Sequence, residues 1–302
     1  MHELFHRAPY SRFMEFIAPD ADRRGMLCSM LEHLGLDFTE IALGESRHIA
    51  VFPRGKPAAR TGEGFPQSVS VIFAAHYDRA EGSPGANDNS AAVFMLLETA
   101  LRIKESAGAV SGGAGIIFTD KEELKTGEAL EEQGSYALAL YLKERGQDTN
   151  VFIFDACGSG DTLIVSTTAE TLLRRRGGGA ALLWQTGKLR TKALEAARAA
   201  RIERVLLLAT PFSDDAGFLK AGLGAQTITV LPASEAAAFS ALVRRQPETS
   251  DALLSSAAAG PLDRRRIPET WRSLNGPGDS RLRLTPEHWK HVVAFAGALG
   301  ET

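Results

Sequence analysis

The sequence predicts an α/β domain in which a mostly parallel central sheet is flanked by helices, a three-layer sandwich. Short apolar runs typical of strands alternate with longer segments in which apolar residues recur at helical spacing. The interiors of the short runs are apolar on both faces, as expected for parallel strands covered by helices. The 302 residues, 44% of them hydrophobic, suffice for one large domain of this kind.

The predicted elements follow one another in a regular order. Apolar spacing over residues 11–36 predicts one or two helices with an interruption at Pro19. Later strands are predicted over 69–75, 115–119, 151–154, 164–166, 205–209 and 226–231, and helices over 90–104, 135–145, 188–201, 215–220 and from about 285. Asn89 or Ser90 is placed to cap the helix near 90.

One segment interrupts the alternation of predicted strands and helices. Residues 233–270 are rich in Ala, Ser and Arg and lack strand signals. We interpret them as a helical insertion or lid within a single domain over 1–302. The glycine runs at 112–113 and 177–179 lack the spacing of nucleotide-binding loops and are interpreted as loops.

Charge and composition exclude several classes of protein. A net charge of -3 gives no electrostatic attraction to nucleic acid or to an anionic membrane, so we expect neither partner. No segment approaches the roughly 20 apolar residues that span a bilayer, and no apolar signal segment follows Met1. Together with two cysteines, Cys28 and Cys157, these features predict a cytoplasmic protein that acts on a peptide or small molecule. The sequence makes no prediction of oligomeric state.

Acidic and histidine side chains follow the predicted strands where each strand ends. In open α/β sheets, ligands bind outside the carboxyl ends of the strands. Four strands are followed by such residues, namely by His76 and Asp78, by Asp120, Glu122 and Glu123, by Asp155, and by Asp214 and Asp215. We therefore expect these side chains to gather at one edge of the sheet.

His76, Asp78 and Asp155 suit a metal site. His76 can bind a metal through one ring nitrogen while Asp78 fixes the tautomer through the other. The alternative is an ordinary hydrogen-bonded histidine at a strand end. Asp155 precedes a small-residue turn and is either a ligand or a structural aspartate of that turn. Cys157 is interpreted as a buried small hydrophobic residue without a catalytic role.

The other acidic candidates also allow two interpretations each. Asp88 lies in a polar loop directly before a helix, whose N-terminus favours an ionised carboxylate. Helix capping is the alternative, although a helix needs only one cap. Glu122 and Glu123 are adjacent carboxylates that can point differently, one toward a metal and one toward the metal's water. The alternative for this pair is a solvated acidic turn.

Taken together, these motifs resemble the co-catalytic dizinc aminopeptidases, a metallopeptidase family that also includes glutaminyl cyclases. The resemblance covers about residues 70–290 and rests on the order and spacing of five pieces. The pieces are His76-Tyr77-Asp78, Gly85 to Ser90, Asp120 to Glu123, Asp155, and Ser213 to Gly222. It implies a zinc-exopeptidase-like fold and a peptide substrate.

The resemblance also implies residue roles. One metal would be bound by His76, Asp88 and Asp155, and a second by Asp88 and Glu123, with Asp88 bridging the two. Glu122 would be the general base that activates the metals' water, and Asp78 would orient His76. The ions would be zinc, with manganese or cobalt as alternatives.

Two departures from the family pattern stand out. An acidic segment separates the paired glutamates from Gly134-Ser135, a turn that the family reaches sooner. Asn275 stands where the family has its last histidine ligand; we keep it as a candidate ligand of the second metal, although an amide oxygen is a poor zinc ligand. The second metal site is therefore weak or vacant, or it is completed by another residue such as His288 or His291.

Three functional hypotheses follow. The first is a metal-dependent aminopeptidase that hydrolyses the N-terminal peptide bond, and it rests on the Glu122-Glu123 pair and the converging ligands. The second is a glutaminyl cyclase-like acyltransferase. The third is a catalytically impaired metal-binding homologue, motivated by Asn275 and by the acidic insertion.

Overall fold

A computed structural model describes residues 10–54, 69–106, 113–146, 149–175, 177, 179–247, 249 and 266–301. Its eight strands form one sheet, and their bounds are β1 Phe38–Leu43, β2 Ser46–Val51, β3 Val69–His76, β4 Gly113–Thr119, β5 Asn150–Phe154, β6 Thr162–Ser166, β7 Val205–Leu208 and β8 Ala225–Leu231. The order across the sheet is β1-β2-β4-β3-β5-β8-β6-β7. The centre, β4-β3-β5-β8, is parallel, as predicted.

Helices connect and cover these strands. Their bounds are α1 Tyr10–Phe16, α2 Arg23–His33, α3 Ala91–Glu105, α4 Gly134–Glu144, α5 Thr168–Arg175, α6 Ala180–Ala199, α7 Asp215–Lys220, α8 Ala233–Arg245, α9 Glu269–Arg272 and α10 Trp289–Glu301. Short 3-10 turns lie at Leu130–Glu132, Arg281–Arg283 and Pro286–His288, and one π turn lies at Ala86–Ser90.

Two apolar layers enclose the sheet, because successive side chains of a strand point to opposite faces. Phe73 of β3 packs into the layer formed with α2, α3, α6 and α10. Its neighbours Ile72 and Ala74 pack into the opposite layer, formed with α4 and α7. The predicted three-layer α/β architecture is therefore confirmed. A smaller apolar cluster joins α8 to Trp271 at the β6 side.

The hairpin of β1 and β2 was missed by the sequence prediction. Its strands pair antiparallel to each other, and β2 pairs antiparallel to β4. β1 is half-exposed, with polar Thr39 and Glu40 facing outward, and β2 contains Arg47 and His48. Because of these polar residues, β1 and β2 lack the continuous apolar run from which the buried strands were predicted.

Several helix predictions need correction. α5 was missed, since it is short and ends in Arg174 and Arg175. α6 begins at Ala180, well before the predicted start at 188. Neither Asn89 nor Ser90 caps α3 through its side chain; Asn89 instead donates a hydrogen bond to the carbonyl of Phe154, at 2.8 Å.

Strand β7 does not deliver its carboxyl end to the predicted edge. β6 runs antiparallel to β8 and β7 runs parallel to β6, so β7 points the opposite way from the central strands. Asp214 reaches the central strands through the loop that follows β7. Its carboxylate accepts a hydrogen bond of 2.5 Å from the hydroxyl of Thr119, the last residue of β4.

The predicted insertion or lid over 233–270 is described in part. Its first section forms α8, and Phe239 of this helix packs edge-on against Trp271, with ring centroids 5.5 Å apart. Residues 248 and 250–265 lie outside the described residues. A lid role for this segment stays a prediction.

We expect the aromatic cluster below the site to contribute strongly to stability. Phe295 is fully buried and packs against Phe154, with centroids 6.1 Å apart. Phe295→Ala should lower the free energy of unfolding by about 3–5 kcal/mol, measured by urea denaturation, because it leaves a large cavity. Leu282→Ala is the matched control, since Leu282 is 84% exposed, and should change it by less than about 0.5 kcal/mol. Equal effects of the two substitutions would contradict the described core.

Candidate metal centre

Three central strands end beside one another and deliver the candidate ligands. His76, the last residue of β3, lies in register with Thr119, the last residue of β4. Asp155 follows β5 directly, and its amide donates to the carbonyl of Ile228 in β8. Because these strands are parallel, their carboxyl ends meet at the same edge, as the sequence predicted.

His76, Asp88 and Asp155 form a compact group of one nitrogen and two oxygens. Nε2 of His76 lies 2.9 Å from Oδ1 of Asp88 and 3.7 Å from Oδ1 of Asp155. The three ligand atoms lie within 4.8 Å of one another. Oδ1 of Asp155 is buried and has no hydrogen-bond partner among the described residues. A metal ion fits this donor set, since it would satisfy that oxygen and Nε2 together.

Asp78 lies on the other side of the imidazole. Its Oδ1 is 3.3 Å from Nδ1 of His76, a position suited to orienting the ring. Its Oδ2 accepts a hydrogen bond of 3.0 Å from the backbone amide of Glu123. Asp78 therefore connects the end of β3 to the segment after β4.

Asparagine side chains hold the loop of Asp88 in place. Asn89 donates to the carbonyl of Phe154 and accepts, at 3.3 Å, from the amide of Ala156. Oδ1 of Asn87 accepts a hydrogen bond of 2.7 Å from the amide of Gly158. A Cβ on Gly158 would lie 2.9 Å from that oxygen and 2.6 Å from Ala91. The close approach of the backbone at position 158 to Asn87 and Ala91 therefore requires glycine. These contacts fix Asp88 beside Asp155.

Glu122 and Glu123 point to different partners, as their adjacency allowed. A carboxylate oxygen of Glu122 accepts a hydrogen bond of 3.2 Å from Nε2 of Gln133. Ligand atoms of Glu122, Glu123 and His76 lie within 4.8 Å of one another. The preceding Lys121 has a positive φ of 61°, which turns the chain sharply out of the strand.

The acidic insertion closes on itself. The amide of Gly134 donates a 2.9 Å hydrogen bond to the carbonyl of Lys121, so the loop begins and ends at the same point. A Cβ on Gly134 would lie 1.9 Å from the carbonyl oxygen of Asp120. Gly134-Ser135 therefore follows the glutamate pair in space even though the insertion separates them in sequence.

Asn275 lies beside the two carboxylates assigned to the second metal. Its amide is placed with Nδ2 toward Oδ2 of Asp88, at 2.8 Å, and toward Oε1 of Glu123, at 2.6 Å. The reverse orientation would set the amide oxygen against two carboxylate oxygens. All seven predicted site residues thus lie together, while their catalytic and ligand roles stay predictions.

His288 and His291 do not complete the second site. Both line a separate cavity of about 190 Å³ together with Asp161, Glu203 and Arg204. None of these residues lines the large cavity that contacts Asp88 and Glu123. The interpretation of either histidine as the replacement ligand is wrong.

The carboxylates of the centre repel one another strongly in the absence of a cation. Burial raises the pKa of Glu122 well above its usual value. Burial and the charge of Asp88 raise the pKa of Glu123 to about 8, while burial and the charge of Asp155 raise that of Asp88 to about 6. Burial alone would lower the pKa of His76, but Asp155, Asp78 and Asp88 raise it well above 6.5. A divalent cation would relieve this excess of negative charge.

Arg23 is a buried residue that was not singled out from the sequence. It binds the backbone of the loop between β3 and Asp88, called the site loop below. Its guanidinium donates to the carbonyls of Tyr77 and Asp78, at 3.2 and 3.1 Å, and to that of Pro84, at 2.7 Å. Burial lowers its pKa to about 10, so it stays charged at neutral pH. Arg23 shares a helix face with buried Leu27 and Leu31, and this arginine within an apolar stripe was the signal that could have revealed it.

The structure also gives a definite contact to Asp279, four residues after Asn275. Its carboxylate accepts hydrogen bonds of 2.8 and 3.0 Å from the backbone amides of Asn87 and Asp88. Gln133 was not singled out either, since it lies within the insertion. It bridges Glu122 and Ser135, whose hydroxyl donates to its Oε1 at 2.9 Å.

A large open cavity lies against the centre. Its volume is about 860 Å³, and Asp88, Glu122, Glu123 and Asp155 form its floor. Leucines of the acidic insertion and of α5, together with Phe212 and Trp271, form apolar walls. The arrangement joins an acid-rich centre to a space that accommodates an apolar side chain.

The fold and this centre are those of a metallopeptidase-like α/β protein. The chain belongs to peptidase family M28, whose model matches residues 58–249, more than half of the sequence. A comparison with curated proteins gave no significant match. No helix in the described part of the chain is long and apolar enough to cross a membrane.

Solved structures share the fold at low sequence identity. The LapA aminopeptidase of Legionella pneumophila is 15% identical, with a TM-score of 0.61 over 99% of this chain and 72% of that one. A glutaminyl cyclase of Porphyromonas gingivalis is 14% identical, with a TM-score of 0.59 over 97% and 96%. BSAP, a zinc aminopeptidase from Bacillus subtilis, is 19% identical, with a TM-score of 0.52 over 84% of this chain and 49% of that one.

We expect Arg23 to stabilise the site loop. Arg23→Met should lower the free energy of unfolding by about 3 kcal/mol in urea denaturation, because it leaves buried carbonyls without donors. Arg24→Met is the matched control: Arg24 is half-exposed, pairs with Glu40 at 2.6 Å, and should contribute less than about 1 kcal/mol. A loss for Arg23→Met no larger than that of the control would refute this assignment.

Proposed function

We propose that the chain is a metal-dependent aminopeptidase that hydrolyses the N-terminal peptide bond of a peptide. The observation that carries the proposal is the position of Glu122, whose partly buried carboxylate forms part of the cavity floor within the cluster around His76. A general base must lie within reach of the attacking water, and this floor is where a scissile bond would rest. Membership of peptidase family M28 supports the same reaction class.

His76, Asp88 and Asp155 would hold zinc, with manganese or cobalt as alternatives. The unpartnered Oδ1 of Asp155 and its distance to Nε2 of His76 support this assignment. When bound there, the ion would supply Lewis-acid polarisation of the scissile carbonyl. Asp78 would fix the imidazole through Nδ1 and so keep Nε2 directed at the ligand position.

Glu122 would take the proton from the attacking water and return it to the leaving amine. Burial, together with the charges of neighbouring carboxylates, raises its pKa above the usual value, which is the direction expected of a group that donates as well as accepts a proton. Gln133 donates to this carboxylate at 3.2 Å and holds it toward the cavity. The apolar walls beside the centre would limit the access of other water molecules to a bound substrate.

The charge of the cavity supports cleavage next to a free amino terminus. Five carboxylates line it, and its lysine, Lys220, forms an ion pair of 2.9 Å with Glu131. A protonated amino terminus is attracted by this surface, whereas a carboxyl terminus is repelled. The apolar walls, which include Phe212 and Trp271, suit an uncharged first side chain.

The hydrolysis of aminoacyl-arylamides tests the proposed function. The zinc-loaded protein should release arylamine from leucyl and phenylalanyl substrates, and Glu122→Gln should lower kcat by about 100-fold to 10,000-fold, because the general base is lost. Glu128→Gln is the matched control, because Glu128 also lines the cavity but contacts Lys125 rather than the cluster. It should change kcat by less than about threefold.

Four outcomes would count against the proposal. Full activity of Glu122→Gln would remove the assigned base. Equal cleavage of N-acetylated substrates would show that a free amino terminus is not recognised. Ammonia release from a glutaminyl peptide without arylamide hydrolysis would indicate the cyclase-like alternative, and inactivity of a metal-loaded, folded protein would indicate the impaired homologue.

A further inference from the structure

In this chain an amide already joins Asp88 and Glu123, the two carboxylates that the family pattern assigns to the second metal. Assigned from its hydrogen-bonding surroundings, the amide of Asn275 directs Nδ2 to Oδ2 of Asp88, at 2.8 Å, and to Oε1 of Glu123, at 2.6 Å. An amide nitrogen carries two N–H donors, and these two contacts use both. Both acceptors are carboxyl oxygens, and the hydrogen bond to each is of the strong, charge-assisted kind when that group is ionised.

The chemistry of this amide does not suit a metal ion between the same groups. The amide nitrogen of Asn275 has no lone pair for a metal, and rotating the amide to offer its oxygen would break both hydrogen bonds.

The position of Asn275 is fixed by its own turn. The residue adopts a positive φ of 59°, a conformation that asparagine tolerates well. Four residues later, the amide of Asp279 donates to the carbonyl of Gly276, and its carboxylate accepts from the amides of Asn87 and Asp88. The turn is thus bonded to the loop of Asp88 at both of its ends, so the amide cannot withdraw without disturbing that loop.

The two halves of the centre therefore differ. On the His76 side, Oδ1 of Asp155 is buried without a partner among the described residues, and an imidazole nitrogen can exchange its proton for a metal. On the Asn275 side, Oδ2 of Asp88 and Oε1 of Glu123 share a donor that cannot be exchanged. Asp88 serves both halves, with one oxygen directed to each.

We propose that this centre binds a single divalent metal ion, at His76, Asp88 and Asp155, and that the amide of Asn275 replaces the second ion by bridging Asp88 and Glu123. The inference rests on the metal centre of the proposed function but not on its hydrolytic step. It predicts that one substitution, Asn275→His, creates the second site, because imidazole offers a lone pair where the amide offers two donors.

Metal stoichiometry tests the proposal directly. Metal-free protein titrated with zinc by calorimetry, and assayed for bound metal after gel filtration, should take up about one equivalent per chain. Asn275→His should take up about two. His288→Asn and His291→Asn are the matched controls, since both histidines line the separate cavity, and each should keep the stoichiometry of the unmodified protein.

Cobalt gives a second readout that does not depend on activity. Cobalt-loaded Asn275→His should show magnetic coupling between neighbouring ions in its electron paramagnetic resonance spectrum, and the unmodified protein should show an uncoupled ion at every loading. Asp155→Asn should abolish tight binding of the single ion, whereas Glu123→Gln should retain it. Circular dichroism confirms that each variant is folded.

The proposal is overturned if the unmodified protein binds two equivalents of zinc per chain, or none. It is overturned as well if Asp155→Asn still binds one equivalent tightly. It is also overturned if folded Asn275→His stays at one equivalent. Should that variant not fold, the stoichiometry of the unmodified protein and of Asp155→Asn still decides. Arylamide hydrolysis is measured separately. A protein that binds one metal ion but has no activity would therefore contradict the proposed function and leave the single-metal proposal intact.

Discussion

The candidate metal centre depends on the hydrogen bonds that join the loop of Asp88 to the turn after β5. Asn89 bonds to the carbonyl of Phe154 and the amide of Ala156, and Asn87 accepts from Gly158. These contacts provide hydrogen bonds to buried backbone groups at the end of the strand. Without them, these N–H and C=O groups would lose their water and gain no partner, which would destabilise the fold. Because the loop cannot shift, two carboxylates that repel each other are held close together.

The cost of concentrating buried carboxylates is offset by backbone groups as well as by side chains. Asp78 accepts from the amide of Glu123, and Asp279 accepts from two amides of the Asp88 loop. Arg23 brings a positive charge to the carbonyl side of the same loop, near Asp78 and Asp88. The scaffold thus stabilises a charge distribution that becomes balanced when a cation binds.

The sequence predicted the central strands and the clustering of the candidate site residues because both leave local signals. A buried strand is a short apolar run, and the acids that follow such runs meet wherever the strands are parallel. The polar hairpin of β1 and β2 leaves no such signal, and the reversed direction of β7 depends on pairing partners that are distant in sequence. The contacts of Asn275 and Arg23 were equally out of reach, since each bonds to residues more than fifty positions away.

The closed acidic loop has a consequence for how this fold can diversify. A single hydrogen bond between Gly134 and Lys121 joins its two ends, so its length is decoupled from the placement of Glu122 and Glu123. Leu124, Glu128 and Leu130 of this loop nevertheless line the cavity. Insertions, deletions or substitutions between its ends can therefore reshape the wall of the cavity while Glu122 and Glu123 stay in place, which makes the loop a natural module for evolutionary or laboratory change.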